Sequence, residues 1–551
     1  MVKSSFEWRE WGPSALEEAG RSHKPLFLLL SAFSSERAFG VSGAIAQDKA
    51  LSSLLARSFI PVLADGDRHP ELGHLYFSTP APAAAVLHPD GTLLANCPLE
   101  APDALVNLLR AAAVAASHYS PPVAQVLGGY PVPFIEHHPH SLERGLELVE
   151  SIYQKVLDGL IVDGCEFGKG AGAPCIDPIR FLLRYGSFMG SREALERSVQ
   201  VLQSLAYSPL YDSVEGGFFH ARDGSRLDTR KFLQDNAHWL ILSLRVAAMP
   251  EGGFALPLAR GILHYLQQKL LQKGGLFAAA QRDDDSYYAL SGEERRCVPP
   301  PRLNATAFAL PNALAVRALC NGWQFLGERA YLNLAQRAHR RLESDLMGPD
   351  GALAHCGTGE RLGAAYLGAQ VELGYARLAL YQSTLDPRYL AGVERVAKLL
   401  VSGYSNPAGV GFLDVRTQDR DRLAVFRPIL DPAMNARAAG FLMIASAQLE
   451  DEKLALPARR ALGALVDSKL EDLGALCQLG NALLVTLMPL AVYVAVTDGS
   501  SQQRYHVLEK LRKLGMSFAL VMHRGPSRFE KMQALPRLIA CCGNQQREIP
   551  V

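Results

Sequence analysis

Gly216-Gly217-Phe218 opens a series that returns as Gly274-Gly275-Leu276, Gly351-Ala352-Leu353 and Gly409-Val410-Gly411-Phe412. Each copy is a glycine turn followed by an apolar residue, and each lies between stretches with helical periodicity. Tyr331, Ala335, Ala338 and Leu342 fall on one helical stripe. Val371, Tyr375, Leu378 and Tyr381 form a second, and Tyr389, Val393, Val396 and Leu400 a third. Helical hairpins joined by such turns at intervals of roughly 60–80 residues predict a repeat-built toroid, an (α/α) barrel with glycine-rich loops around its mouth. Loops carried on a rigid scaffold are where sites usually form.

Outward from that region the pattern changes. Toward the N-terminus, Pro25-Leu26-Phe27-Leu28-Leu29-Leu30 is a short, continuously apolar run, as in a strand covered on both faces. Phe59 to Ala64 and Ala84 to Leu87 repeat it, and His88-Pro89-Asp90-Gly91 turns into Thr92-Leu93-Leu94. Helical stretches at Ala15 to Ala19, Ala44 to Arg57 and Ala104 to Ala116 complete a small α/β unit. Residues 117–140 are rich in Pro, His and Gly and read as a linker. Beyond the helical region, Val492 to Val496, a basic helix at Tyr505 to Leu514, and Ser517 to Val521 predict a strand–helix–strand element followed by an irregular tail. The predicted division is 1–116, 117–140, 141–480 and 481–551.

Composition narrows the function. The chain has 551 residues, more than one ordinary core accommodates. Its 56 basic and 55 acidic residues nearly cancel, so charge gives no case for nucleic acid or an anionic membrane. Nine cysteines contain no Cys-x-x-Cys pair, which suggests reduced thiols and a cytoplasmic setting. The start of the chain lacks the apolar core of a signal peptide. The apolar run from Ala482 to Val496 contains Pro489 and is shorter than the ~20 residues that cross a bilayer. No cofactor is expected.

Several further stretches resemble one family. Phe6-Glu-Trp8, Trp11-Gly12, Ala15-Leu16, Lys24-Pro25, Asp65, Pro70, Pro82 and Pro89-Asp90-Gly91 are similar to the opening of the spermatogenesis-associated protein 20 family. Phe181-Leu-Leu-Arg-Tyr-Gly186, Leu210-Tyr211-Asp212, Asp235-Asn236-Ala237, Asn312, Asp386-Pro387-Arg388-Tyr389-Leu390 and Asn435 resemble its helical region. The resemblance spans nearly the whole chain in order. It implies a thioredoxin-like domain followed by a six-hairpin barrel similar to those of glycosidases and N-acylglucosamine 2-epimerases, with a redox-linked or carbohydrate role.

The departures bear on activity. The family's Cys-x-x-Cys falls on Ser35-Glu36-Arg37-Ala38, which leaves neither a thiolate nucleophile nor a resolving partner. Its Gly-Gly-Trp-Pro turn becomes Pro80-Ala81-Pro82-Ala83, with only the proline kept. In the barrel, His-Phe-Glu-Lys becomes Asp228-Thr229-Arg230-Lys231, Trp-Asn-Gly becomes Pro311-Asn312-Ala313, and Glu-Asp-Tyr becomes Gly368-Ala369-Gln370. Polar motif positions are lost while the apolar framework survives. The leading expectation is therefore a ligand- or partner-binding protein without thiol redox activity. The alternatives are a carbohydrate-active barrel enzyme, hydrolase or epimerase, and a scaffold subunit of an assembly.

Candidate site residues follow from these motifs. Pro82 is expected in cis beside a groove that could take an extended peptide. Ser35 reads either as a nucleophile lacking a base or as a helix cap. Asp212, Glu215, His220, Asp235 and His238 could supply acid–base chemistry at the mouth, or could simply cap turns and helices. Phe218, Phe219, Arg222, Lys231, Asn236 and Asn312 are the predicted ligand contacts. Trp239, Tyr287, Tyr288, Trp323, Tyr366 and Tyr375 offer rings for stacking on a sugar or for the core. Asp283-Asp284-Asp285, the linker histidines His137, His138 and His140, and Cys165 and Cys175 lack the spacing of a metal site, and none is expected. Cys541-Cys542 reads as ordinary thiols.

Overall fold

The computed structural model describes residues 6–32, 35–77, 82–99, 105–109, 111–112, 115, 141–161, 166–167, 176–223, 226–357, 361–514, 520–524, 535–542, 545–549 and 551. The expected linker and its histidines, Cys165 and Cys175 lie outside these residues.

The N-terminal unit is built on strands β1 (Arg9–Glu10), β2 (Leu26–Ser31), β3 (Ile60–Asp65), β4 (Ala83–Leu87) and β5 (Leu93–Pro98). They lie in the order β1-β3-β2-β4-β5, the first three parallel and the last two antiparallel. Alternate side chains of β2 serve two cores, as the strand's two-residue period requires. Leu26, Leu28 and Leu30 pack with Trp11, Ala15, Ala19 and Tyr76, whereas Phe27 and Leu29 pack with Ile45, Leu55, Leu105 and Leu109. This double cover explains why β2 is apolar throughout. Helices α1 (Pro13–Ser22), α2 (Glu36–Gln47), α3 (Lys49–Ser58) and α4 (Glu71–Tyr76) flank the sheet. The stretch Ala44 to Arg57 is thus broken, because the Asp48 carboxylate caps α3 by accepting from the Ala50 and Leu51 N–H groups at 2.9 Å.

The central region is a ring of helical hairpins. Its inner helices are α6 (Ile176–Met189), α8 (Leu233–Ala247), α10 (Ala309–Leu326), α12 (Leu367–Thr384), α14 (Pro432–Leu449) and α16 (Leu473–Leu487). Each packs on the next, and α16 packs on α6, which closes the ring. The outer helices α5 (Gly145–Gly159), α7 (Arg192–Ala206), α9 (Ala255–Tyr265), α11 (Arg329–Leu346), α13 (Pro387–Gly403) and α15 (Ala455–Asp467) each back one inner helix. The outer helix α11 shows the amphipathic pattern clearly, since Tyr331, Ala335, Ala338 and Leu342 are all buried. The inner helix α12 is buried on nearly every side. The last inner helix ends at Leu487, so the barrel extends past the expected boundary at 480.

Short links join α6, α8, α10, α12 and α14 to the outer helices that follow them, and long links with glycine turns lead into α8, α10, α12 and α14. Each of four inner helices grips a glycine turn through a side-chain amide in its first turn. Asn236 Oδ1 accepts from Phe218 N–H at 2.7 Å while its Nδ2 donates to the Phe218 and Phe232 carbonyls, both at 3.0 Å. Asn312 holds Phe277, Gln370 holds Leu353 and Asn435 holds Phe412 in the same two-pronged way. The turn must approach the amide closely. Gly217 (φ +82°) and Gly411 (φ +100°) are left-handed, and a Cβ on either would lie 3.0 Å or 2.8 Å from the clamping Oδ1.

The C-terminal element holds β6 (Val492–Val496), α17 (Ser501–Lys513), β7 (Leu520–Arg524), β8 (Arg537–Cys542) and β9 (Gln545–Ile549) in the sheet order β7-β6-β8-β9. The tail beyond His523, read as irregular from the sequence, therefore supplies two more strands. Its residues carry no strong local strand pattern and gain their conformation by pairing, β8 with β6 and β9 with β8. The element sits against the C-terminal ends of the inner helices: Gln448 Nε2 donates to the Val521 carbonyl at 2.9 Å, and Tyr381 Oη accepts from His523 N–H at 3.2 Å.

The α/β unit sits on the opposite, long-loop face. His355 Nε2–H donates to the Asp67 carbonyl at 2.8 Å, Tyr366 Oη–H donates to Glu71 at 2.6 Å, and Arg68 reaches Thr306 at 3.4 Å. Val425 from the barrel joins the core of Trp11, Leu72 and Tyr76. Among the described residues no helix is long and apolar enough to cross a membrane.

The amide clamps give a direct test of the repeat. Asn312→Ala removes three buried hydrogen bonds and is expected to cost about 2–4 kcal/mol of stability in urea unfolding. A loss below about 0.5 kcal/mol would contradict a structural role.

Candidate functional site

The residues predicted from motifs divide into three groups. The first is consumed by structure. Lys231, with no exposed side-chain surface, bonds Asp212 at 2.5 Å and the Gly216 carbonyl at 2.9 Å. Its ammonium lies 4.9, 4.7 and 5.0 Å from the ring centres of Phe219, Tyr265 and Tyr288. Arg295 grips both Asp212 oxygens at 3.0 and 2.9 Å. Glu215 receives Lys269 at 2.5 Å and the Tyr287 hydroxyl at 2.8 Å. Burial alone would raise the Asp212 pKa, but Lys231 and Arg295 outweigh it and hold the carboxyl below its ordinary value. Asp212 and Glu215 are therefore not a free acid–base pair, and Lys231 presents no charge to a ligand. Phe218 is fully buried, and Asn236 and Asn312 are the clamps described above. These assignments as ligand contacts are corrected by the packing.

The second group belongs to the domain interface. Ser35, at the start of α2, is buried and donates to Asp283 of the barrel at 3.2 Å. Asp284 caps a short helix through Tyr287 N–H, and Asp285 accepts from Thr229. The three aspartates thus face different partners, and no metal-holding cluster occurs among the described residues. Pro82 precedes β4, and the bond expected in cis joins it to Ala81, outside the described residues. Ala38 falls within α2, its side chain outside the description. Arg222 is exposed.

The third group, His220, Asp235 and His238, lies in α8 or in the loop before it. His220 Nδ1 lies 2.8 Å from Asp235 Oδ2, with both side chains partly exposed. His238 is one turn beyond Asp235 along α8, and its Nε2 has no hydrogen-bond partner among the described residues. Burial and the guanidiniums of Arg180, Arg437 and Arg317 push its pKa well down, so it is neutral.

Below this rim lies a cavity of ≈ 180 Å³ lined by all six inner helices. Arg180 and Arg184 enter from α6, Arg245 from α8, Arg317 from α10 and Arg437 from α14. Amides follow: Asn321 and Gln324 on α10, Gln382 on α12, Gln478 and Asn481 on α16. Phe325 and Tyr375 supply aromatic rings, that of Tyr375 5.3 Å from the Arg317 guanidinium. Leu490 and Leu520, beyond the helix ends, contribute to the lining. Among the described residues no Asp or Glu lines the space. Glu372 stands behind it and pairs with Arg317 at 2.8 Å and with Arg437. Asp177 pairs with Arg180 at 3.2 Å and accepts from Gln478 at 2.7 Å.

Sequence reasoning passed over these arginines, although Arg184 stands inside a quoted motif. The available signal was a cation in the middle of an otherwise apolar helix, which soluble proteins bury only with a purpose or a partner.

No family model matches the chain, and no curated protein matches it. Among solved structures it is similar to a D-mannose isomerase (14% identity, 65% of this chain and 99% of that one, TM-score 0.48). It is also similar to the cellobiose 2-epimerase of Bacillus thermoamylovorans (12%, 58% and 85%, TM-score 0.46). A third is a family 76 α-mannanase of Bacteroides thetaiotaomicron (12%, 62% and 95%, TM-score 0.46). The closed ring of hairpins stands on the helix packing itself.

The Asp212–Lys231–Arg295 cluster has a clear mutational signature. Lys231→Met leaves a buried carboxylate facing one cation and is expected to destabilise by about 3–5 kcal/mol in urea unfolding. Asp212 is a depressed carboxyl, so its stabilisation is present above the unfolded-state value and fades as pH falls below about 4. Asp212→Asn should flatten the acid limb of the stability–pH curve; an unchanged limb would refute the assignment.

Proposed function

We propose that the chain is a ligand-binding (α/α)6 barrel protein whose site is the axial cavity, and that the ligand is a saccharide-sized polar molecule. The observation that carries this reading is the lining itself: guanidiniums, amides and the rings of Phe325 and Tyr375 converge from six helices on one cavity. Such groups donate to and accept from hydroxyls in fixed directions while a ring face takes the apolar side of a sugar. The N-terminal unit is read as a thioredoxin-like domain. Its strand order and directions support that reading, and Ser35 and Ala38 leave it without thiol chemistry. Its bonds to His355, Tyr366 and Thr306 support a role as a cap over the long-loop face.

A second reading, an epimerase-like enzyme, is favoured by the His220–Asp235 pair at the rim. Asp235 fixes the ring by bonding Nδ1 and leaves Nε2 to take a proton from a sugar carbon. Hydrolysis by paired carboxylates finds no support, because Asp212 and Glu215 are committed and no carboxylate lines the cavity among the described residues.

Thermal unfolding against a panel of monosaccharides and disaccharides tests both readings. A binder at a hundredfold excess over Kd adds about 2.7 kcal/mol and should raise Tm by several degrees. With His220→Ala, binding is expected to persist while any epimerisation, followed by NMR of the sugar anomeric protons, is lost. A panel without a shift would overturn the cavity reading.

A further inference from the structure

One amide on the axial cavity takes no part in the packing. Asn481, in the middle of α16, is 4% exposed and lines the space, and neither its Oδ1 nor its Nδ2 is bonded among the described residues. The amides that build the ring behave otherwise. Asn236, Asn312 and Asn435 each spend both ends on a glycine turn. Gln478, one turn before Asn481, is fixed by donating to Asp177 at 2.7 Å. A buried amide with both ends unmet carries a free-energy cost that a guest in the cavity removes.

The backbone that carries this amide is anchored. Arg184 donates to the Asn481 carbonyl at 3.1 Å. The next residue, Ala482, packs so closely on α14 that a Cβ on Gly440 would lie 3.3 Å from its own. Asn481 is thus presented to the cavity from a rigid element. An amide carries its donor and its acceptor side by side. A single hydroxyl serves one end at a time, and a carboxylate has no proton to give to Oδ1. Two hydroxyls on adjacent carbons, held gauche on a six-membered ring, meet both ends together: one donates to Oδ1 and the other accepts from Nδ2. Water can meet each end separately, so the fixed pair gains by replacing two ordered molecules at once.

We propose that Asn481 is the specificity residue of the axial cavity and selects a cyclic polyol by reading one vicinal diol. The claim rests on the cavity being the ligand site and adds which group of the ligand is recognised. The space of ≈ 180 Å³ suits one six-membered ring, since about 150 Å³ encloses benzene. Leu242, Leu378 and Tyr375 in the same lining offer apolar contact to the C–H faces of such a ring. A ring lacking either hydroxyl of the pair leaves one end of the amide unmet, and sites built to bond a hydroxyl reject the analogue without it.

Isothermal titration of the full chain with glucose and its 1-, 2-, 3-, 4- and 6-deoxy derivatives tests the claim without any substitution. Two derivatives altered at adjacent ring carbons are expected to bind about tenfold or more weaker than glucose, and the 6-deoxy sugar within about threefold of it. Asn481→Ala should weaken glucose about tenfold and leave those two derivatives no weaker than glucose. Ala379→Met, which fills the cavity from α12, should abolish binding of every sugar. Equal affinities across the series in the unaltered protein would overturn the diol claim, and this comparison decides the question if Asn481→Ala fails to fold, as judged by circular dichroism. Glucose binding blocked by Ala379→Met but unchanged by Asn481→Ala would overturn the diol claim and leave the cavity reading standing. Binding unaffected by both variants would place the sugar elsewhere and overturn both, as would the failure of every sugar to bind.

Discussion

Six helices closed in a ring cannot fill their own centre. Packed helices stand about 8–10 Å apart, so six around an axis place each helix about 9 Å from it, while a helix with its side chains reaches only about 5–6 Å. The remaining lumen is filled by side chains, by a ligand, or by both. Everything functional in this chain depends on how that constraint is met. Here the small residues Ala379, Gly440 and Ala482 leave room, while long arginines and amides line what is left. Among the described residues, the C-terminal sheet packs at one end of the lumen and the α/β unit at the other.

The two classes of polar side chain have opposite fates. Around the long loops they are spent on architecture: four amides clamp four glycine turns, and Lys231, Asp212 and Arg295 form a buried cluster beneath the first. Along the axis guanidiniums and amides line the cavity, several of them held by Glu372 and Asp177. A charged residue near a glycine turn resembles a catalytic group in the sequence, yet its partners lie 15 to 83 residues away and only folding reveals them. For the same reason His220 and Asp235, 15 residues apart, were recognisable as types but not as a pair.

The fold was far more legible than the site. Helical stripes, glycine turns and the apolar β2 each follow from a local period that packing enforces, so Tyr331 to Leu342 and Leu26 to Leu30 announce their own surroundings. The break at Asp48 and the strands Arg537–Cys542 and Gln545–Ile549 depend on a single cap and on long-range pairing, and local period does not encode either. The arginines were hidden differently. Each stands alone in its own helix or one turn from its neighbour, and they become a cluster only when the ring closes and brings α6, α8, α10 and α14 around one axis. In a ring of this kind a lone cation on an inner helix is the feature to weigh, because it has nowhere to point except inward or against a neighbour.

The account comes down to what occupies the lumen, and a crystal of the protein soaked in glucose at high concentration would show it. The expected result is sugar density within the axial cavity, with hydroxyls against Asn481 and Gln478. Density bound instead at the Asp212–Lys231 cluster, or an axial cavity holding water alone at saturating ligand, would contradict it.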